Sequence, residues 1–227
     1  MATTRETTGQ TGFTVAETAK AIRAAMPTLD PTEQRIASAI HRLMADGVSA
    51  TSAAIAQASF ITVDRVDQLL ASWPGVYRDD EGRVVGFWGH AVAPLDPEYR
   101  LKANDRTTYA WCALDTLFIP SLVGETMSVE ATDPVTGEPV SLVVDSDGAR
   151  DVSPAGTVVS MVVPDGPFGY DVIESFCHRV LFFASEESGR RWVAEHEGTT
   201  LLSVEQAFDL GREVTVRIAP DLFGVQN

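Results

Sequence analysis

Tyr109-Ala110-Trp111-Cys112-Ala113-Leu114-Asp115-Thr116-Leu117-Phe118-Ile119-Pro120 is the stretch on which the reading of this chain turns. It is apolar except for one thiol, one carboxyl, a threonine hydroxyl and the phenol of Tyr109. The apolar pattern runs over 109–122 and is interrupted by Pro120, so its middle reads as a short buried helix. On a helix, Cys112 and Asp115 stand three residues apart and share a face. The other cysteine of the 227 residues lies far down the chain, in Ser175-Phe176-Cys177-His178. Only the fold can bring the two thiols together.

On the N-terminal side the pattern is helical. Thr14 opens a helix over 15–26 that Pro27 stops. Asp30-Pro31-Thr32-Glu33 then carries a capping residue, a proline at the first helical position and a glutamate placed for a capping box. Ile36, Ile40, Leu43 and Met44 recur at helical spacing until Gly47. A short helix near 52–58 follows, and Thr62 caps a third over 62–73. Residues 76–89 read as a hairpin turning at Asp79-Asp80-Glu81-Gly82. Helices followed by a hairpin form a winged-helix-like pattern. The third helix carries Asp64 and Asp67 against a single Arg65, whereas a DNA-reading helix needs cations facing phosphates. The N-terminal part therefore reads as structural, with no nucleic acid partner.

Pro94, Asp96 and Pro97 mark a boundary. The expected organisation is a disordered tail over 1–12, a winged-helix-like subdomain over 13–95 and a catalytic domain over 96–227. The second part opens on a polar stretch, 102–108, before the Cys112 segment. Strands are expected over 126–132 and 140–144, joined through Thr136-Gly137, then over 158–163 and 180–183. Helices are expected over 186–197 and 203–210, with Gly211 either ending the last or carried within it. The fold class is α+β: a helical winged-helix-like part, then a sheet-based core with flanking helices.

The net charge of −15 disfavours nucleic acid and anionic membranes as partners. No stretch of 18 apolar residues appears, so no membrane span is expected. The Thr-rich start lacks the apolar core of a signal peptide, which points to the cytoplasm, where both thiols stay reduced. His41, His90, His178 and His196 show no zinc spacing with the cysteines. No phosphate-binding glycine loop or hydrolase elbow is present, so no nucleotide cofactor is expected.

Two thiols with a carboxyl beside one of them suit an ion that wants two soft ligands and a proton donor. That description fits mercury. Burial among Trp111, Leu114, Phe118 and Phe176 should raise Asp115 above the ordinary carboxylate value of about 3.9. A carboxyl tuned toward neutrality can take a proton from a thiol and later return it. A thiolate pair on an alkyl-mercury centre pushes electron density onto the metal-bound carbon, which a nearby acid then protonates.

The whole segment 109–120 closely resembles the active-site segment of the organomercurial lyase (alkylmercury lyase) family. Ser175-Phe176-Cys177 followed by Phe182-Phe183-Ala184-Ser185 resembles that family's second cysteine segment, and Thr136-Gly137-Glu138-Pro139-Val140-Ser141-Leu142 and Pro154-Ala155-Gly156 are also similar. The resemblance covers roughly residues 30 to 215. It implies protonolysis of carbon–mercury bonds, with Cys112 and Cys177 as the mercury-binding thiols and Asp115 as the proton shuttle. Two soft thiolates are expected to keep Hg(II) on Cys112 and Cys177 with Asp115 beside them until a low-molecular-weight thiol or a partner's cysteine pair removes it, and no resident cofactor is expected; the resemblance implies that the partner is mercuric reductase. Some relatives have Ser at the Asp115 position; this chain keeps Asp. His178 is not carried over as catalytic.

The alternative is a soft-metal sensor or carrier on the same fold without cleavage. Asp115 argues against it, since a pure binder needs no proton donor. Read alone, each cysteine also fits an inert buried thiol, and Tyr109 and Trp111 fit core aromatics.

Overall fold

The computed structural model describes residues 13–220, and the tail expected over 1–12 lies outside them. Four helices open the chain: α1 (Val15–Ala25), α2 (Pro31–Met44), α3 (Ser52–Ser59) and α4 (Val63–Ser72). Local chemistry sets their starts. Thr14 with Glu17, and Asp30 with Glu33, form complete capping boxes, and Pro31 sits in the first turn of α2. Thr62 stands at the N-cap of α4, but its side chain makes no capping bond, contrary to expectation.

The hairpin follows as β1 (Val76–Arg78) and β2 (Val84–Phe87). It does not stand apart as a wing. A short strand, β3 (His90–Ala91), pairs β2 on one side and β5 (Arg106–Ala110) on the other, through His90↔Ala110 and Ala91↔Tyr109. The hairpin is thereby the edge of an antiparallel eight-stranded sheet ordered β1-β2-β3-β5-β4-β6-β7-β8. Its remaining strands are β4 (Tyr99–Ala103), β6 (Met127–Thr132), β7 (Pro139–Val144) and β8 (Ala149–Ser153). The loop containing Pro94 and Pro97 joins β3 to β4, and the sheet runs across it.

The polar stretch before Cys112 is thus two strands that sequence reading passed over. In β4, Tyr99, Leu101 and Ala103 are buried while Arg100 and Lys102 are half-buried. Both cations pair with Glu130 on β6, at 3.2 and 2.6 Å. One face is core and the other a ladder of charges, as expected of a half-solvated antiparallel sheet.

Helix α5 (Ala113–Val123) is longer than the short helix expected, and it runs through Pro120. Every residue from Ala113 to Leu122 is buried. Cys112 is not inside this helix: with φ −152° and ψ 176° it is the extended N-cap. Gly124, in the left-handed conformation, ends the helix and returns its N–H to Pro120 O.

After β8 come β9 (Val158–Val162), α6 (Val172–Ser175), a 3-10 turn at Cys177–Arg179, β10 (Phe182–Phe183), α7 (Glu186–Glu195), β11 (Thr199–Ser203) and α8 (Val204–Ile218). The strand expected over 180–183 shrinks to two residues, because residues 177–179 turn tightly. A three-stranded sheet, β10-β9-β11, backs this region. Gly211 is carried within α8. A Cβ there would lie 3.3 Å from Phe118 Cβ and 3.4 Å from the Leu117 carbonyl carbon, so its absence lets α8 lie tightly on α5. The buried apolar residues form one cluster from Ala19 to Ala219 that spans both parts of the chain.

Candidate active site

The bond network around β9 brings the cysteines together. Ser160 Oγ donates to Arg179 O at 2.9 Å and accepts from Leu181 N at 3.0 Å. Leu181 O in turn accepts from Ser160 N. The segment so clamped offers Val180 O to Ala113 N at 3.0 Å, which joins the start of α5 to the turn carrying Cys177. Asp133 braces the same region from the β6–β7 turn. It is fully buried, and it accepts from Val135 N and Thr136 N with one oxygen and from Ala184 N, just beyond β10, with the other. Sequence reading singled out neither Ser160 nor Asp133, since each is an ordinary polar residue until its partners are known.

The result is a compact donor set. One sulfur from Cys112, one from Cys177 and a carboxylate oxygen of Asp115 all lie within 4.8 Å of one another. Cys112 is 0% exposed, Cys177 3% and Asp115 7%. As N-cap and third helical residue, Cys112 and Asp115 sit at the positive end of α5. That end favours negative charge by about 0.3–1 kcal/mol, a small effect beside removal from water.

Burial therefore dominates the protonation states. It pushes Asp115 up to about 7, while the Cys112 thiol and the N–H groups of Cys112 and Trp111 offset only part of the cost. Asp115 Oδ2 has no hydrogen-bond partner among the described residues. The Cys112 thiol is pushed well above its ordinary value by burial, then by its hydrogen bond to Cys177 and the Asp115 charge. Cys177 gains from the hydrogen bond with Cys112, but burial and Asp115 outweigh it, and it too is raised. The resting site thus holds two neutral thiols beside a carboxyl poised near neutrality. Such a set can bind a soft cation only by releasing protons, and Asp115 is the adjacent group able to take one.

An apolar cavity with about 70 Å³ of space opens onto Asp115 and Cys177. The four residues expected around the carboxyl, Trp111, Leu114, Phe118 and Phe176, all line it. Tyr109 does not. The N-terminal part supplies lining that sequence reading did not assign: Ile22, Met26, Pro27, Trp88 and Gly89. Tyr99 of β4 was also missed. It is 3% exposed, and burial, followed by the neighbouring acidic groups Cys112, Cys177 and Asp115, holds its phenol well above the ordinary value. His178 is exposed beside Cys177 and is not part of the donor set.

The alkylmercury lyase family model matches residues 95–216, and that of the helix-turn-helix domain of alkylmercury lyase matches residues 18–88. An alkylmercury lyase of Bacillus cereus is 38% identical over 176 residues, covering 78% of each chain. One of Streptomyces lividans is 37% identical over 174 residues, covering 77% of this chain and 79% of that one. Among solved structures, the crystal structure of the mercury-bound form of MerB2 superposes with a TM-score of 0.72 at 23% identity, over 90% of this chain and all of that one. The fold is therefore shared with that structure, and the matches over most of the sequence establish that this chain belongs to the alkylmercury lyase family.

Proposed function

We propose that this protein cleaves carbon–mercury bonds by protonolysis, with Cys112 and Cys177 as mercury ligands and Asp115 as the proton shuttle. The observation that carries this reading is the juxtaposition of two neutral thiols and a near-neutral carboxyl beside an apolar cavity. An organomercurial R–Hg–X reaches the site through that cavity. One thiol sulfur bonds to mercury as X leaves with a proton. Asp115 takes the proton of the other thiol as its sulfur joins the metal. With both sulfurs on mercury, electron density moves onto the metal-bound carbon. Asp115 then returns its proton to that carbon, the carbon–mercury bond breaks, and R–H departs. Two thiol protons enter, one leaves in HX and one in R–H, and Hg(II) stays on two sulfurs without any change of oxidation state.

A soft dithiolate site releases this product slowly. Turnover then depends on thiols arriving through the cavity, either small molecules or a cysteine pair such as that of mercuric reductase, in a reducing cytoplasm. No helix among the described residues is long and apolar enough to cross a membrane. The test is gas-phase detection of methane from methylmercury, or benzene from phenylmercury, in excess thiol. Mercury binding without hydrocarbon release would leave a carrier in place of an enzyme.

The helix-turn-helix part serves, in this reading, as a wall of the cavity and not as a DNA reader. On α4, Asp67 is bonded to Ser52 at 2.6 Å, and Arg65 is turned to Glu33 at 3.8 Å. A mobility-shift assay at low salt on mixed duplexes is expected to show no complex; a salt-sensitive, sequence-specific shift would restore the sensor reading.

A further inference from the structure

Trp88 and Gly89 form the two-residue turn between β2 and β3, closed by the pair Phe87↔His90. Both have positive φ, +41° and +91°. Such a turn demands the left-handed region, which glycine enters freely. Gly89 has a second constraint. A Cβ there would lie 2.5 Å from Asp115 Cγ and 3.0 Å from Asp115 Cβ, and nearer still to Oδ1. Side-chain atoms do not approach so closely, so a methyl group and the present position of this carboxyl are mutually exclusive.

The turn cannot easily yield. Trp88 Nε1 donates to Pro74 O at 2.8 Å, and Trp88 N donates to Gly75 O at 3.2 Å. The Trp88 ring stacks on Phe87 with centroids 4.4 Å apart. Gly89 O accepts from Trp111 N at 2.9 Å, which fastens the turn to the residue before Cys112. Asp115 is equally confined, in the first turn of a helix buried from Ala113 to Leu122.

We propose that Gly89 is a positioning residue for proton transfer: its bare α-carbon is the surface against which the Asp115 carboxyl rests, holding it in reach of the two sulfurs. The inference rests on the reading of Asp115 as the proton shuttle. It gives the N-terminal hairpin a share in the chemistry without any contact to mercury. Proton transfer depends steeply on placement, and a displacement of about 1 Å costs on the order of 10²-fold in rate.

Gly82 supplies the control. It has φ +77° in the turn of the adjacent hairpin, and among the described residues nothing beyond its own chain neighbours lies within 4 Å of a Cβ. Gly82→Ala thus carries the backbone strain of a positive φ without a collision. The experiment measures single-turnover hydrocarbon release from phenylmercury, its half-saturating concentration, and the melting temperature. It uses Gly89→Ala and Gly82→Ala, each alone and combined with Asp115→Ala. Gly89→Ala is expected to slow the saturated single-turnover step by about 10²-fold while the half-saturating concentration moves less than about threefold. Gly82→Ala is expected to turn over as the parent. The melting loss of Gly89→Ala beyond that of Gly82→Ala is expected to fall by more than half once Asp115 is alanine, because the Cγ and Oδ1 collisions are gone.

Parental turnover by Gly89→Ala overturns the proposal, as does an excess melting loss that persists without the Asp115 carboxyl. If Gly89→Ala does not fold, a folded Gly89→Ala/Asp115→Ala double variant supports the proposal and an unfolded one overturns it. Should Asp115→Asn retain the parental rate, the shuttle reading fails independently, while the melting experiment still reports whether Gly89 and Asp115 are coupled.

Discussion

Two clusters of titratable groups lie buried next to the Trp88–Gly89 turn, and they behave in opposite ways. One is Cys112, Asp115 and Cys177. The other is His41 of α2 and His90 of β3, both 0% exposed, their rings stacked 5.7 Å apart at an interplanar angle of 9°. All four imidazole nitrogens lack hydrogen-bond partners among the described residues, and Phe87 covers His41 at 5.1 Å. The same cause acts in both clusters: removal from water disfavours charge. It lowers His90 to about 3 and His41 well below its ordinary value, and it raises Asp115 to about 7. For the bases, burial takes titration out of the working range; for the acid, burial brings it in. The second difference is access. Asp115 and Cys177 line a cavity, and neither histidine lines it. Burial alone makes a group neutral, whereas burial beside a cavity makes it a reagent.

The largest expected effect tests the reactive half of that contrast. Cys112→Ser and Cys177→Ser are each expected to abolish hydrocarbon release. A serine hydroxyl fits the space of the thiol, and its buried, under-bonded oxygen costs about 1–3 kcal/mol of stability, so the fold survives. It is a hard ligand, however, and mercury needs two soft ones. Measured turnover by either variant in excess thiol breaks the two-sulfur mechanism.

Asp115→Asn comes next. It keeps size and polarity but cannot shuttle a proton, and general acid–base groups contribute about 10²–10⁴-fold. Mercury binding is expected to survive while cleavage slows within that range. In the proposed mechanism the ionised carboxyl accepts the thiol proton, so kcat/KM of the parent is expected to fall tenfold per pH unit below about 7. A flat profile between pH 5 and 7 would assign the proton to another group.

How much of this was legible in the sequence depends on the range of the interactions. The Cys112 segment and its carboxyl could be read because burial, thiol and acid are local in the chain. The capping boxes of α1 and α2 were equally local. Strands β4 and β5 were not, since Arg100 and Lys102 of β4 meet Glu130 on β6, and Arg106 of β5 meets Asp46 and Glu125, all far away in the chain. Cys112 as an N-cap, and not a helical residue, depends on Val180 O receiving Ala113 N. Gly89 reads as an ordinary hairpin glycine until Asp115 is found against it. Propensity marks elements and candidate groups; the distances that make them a site belong to tertiary structure.

A smaller effect concerns stability above neutrality. With a folded value of about 7 and an ordinary value of 3.8, Asp115 binds its proton more tightly in the fold. Its contribution is fully present below 3.8 and is lost as pH rises through 7. The shift corresponds to about 4 kcal/mol at about 1.4 kcal/mol per unit. Asp115→Asn removes this cost, so at pH 8 the variant is expected to be more stable than the parent by up to that amount, with the difference shrinking toward pH 4. Equal denaturation midpoints at pH 8 would mean that the buried carboxyl is not strained by its charge.

The smallest effect on activity is expected at the sealed pair. The signs there run the other way. A histidine whose folded value is depressed stays neutral in the fold but takes a proton in the unfolded chain. Stability is therefore full above about 6.5 and is lost as pH falls toward the folded value, about 3 for His90. That window is worth up to about 5 kcal/mol for His90, and His41 adds a loss of the same sign. His41→Leu replaces two unpartnered nitrogens with apolar volume between His90 and Phe87. It removes one proton-binding site from the unfolded chain and relieves His90 of a neighbouring imidazole. The acid unfolding midpoint, followed by circular dichroism, is expected to move to lower pH, while hydrocarbon release at pH 7.5 stays at the parental rate. If that rate falls severalfold with the acid midpoint unmoved, the sealed pair is coupled to the reactive cluster through Gly89, and the separation between an idle buried cluster and a working one disappears.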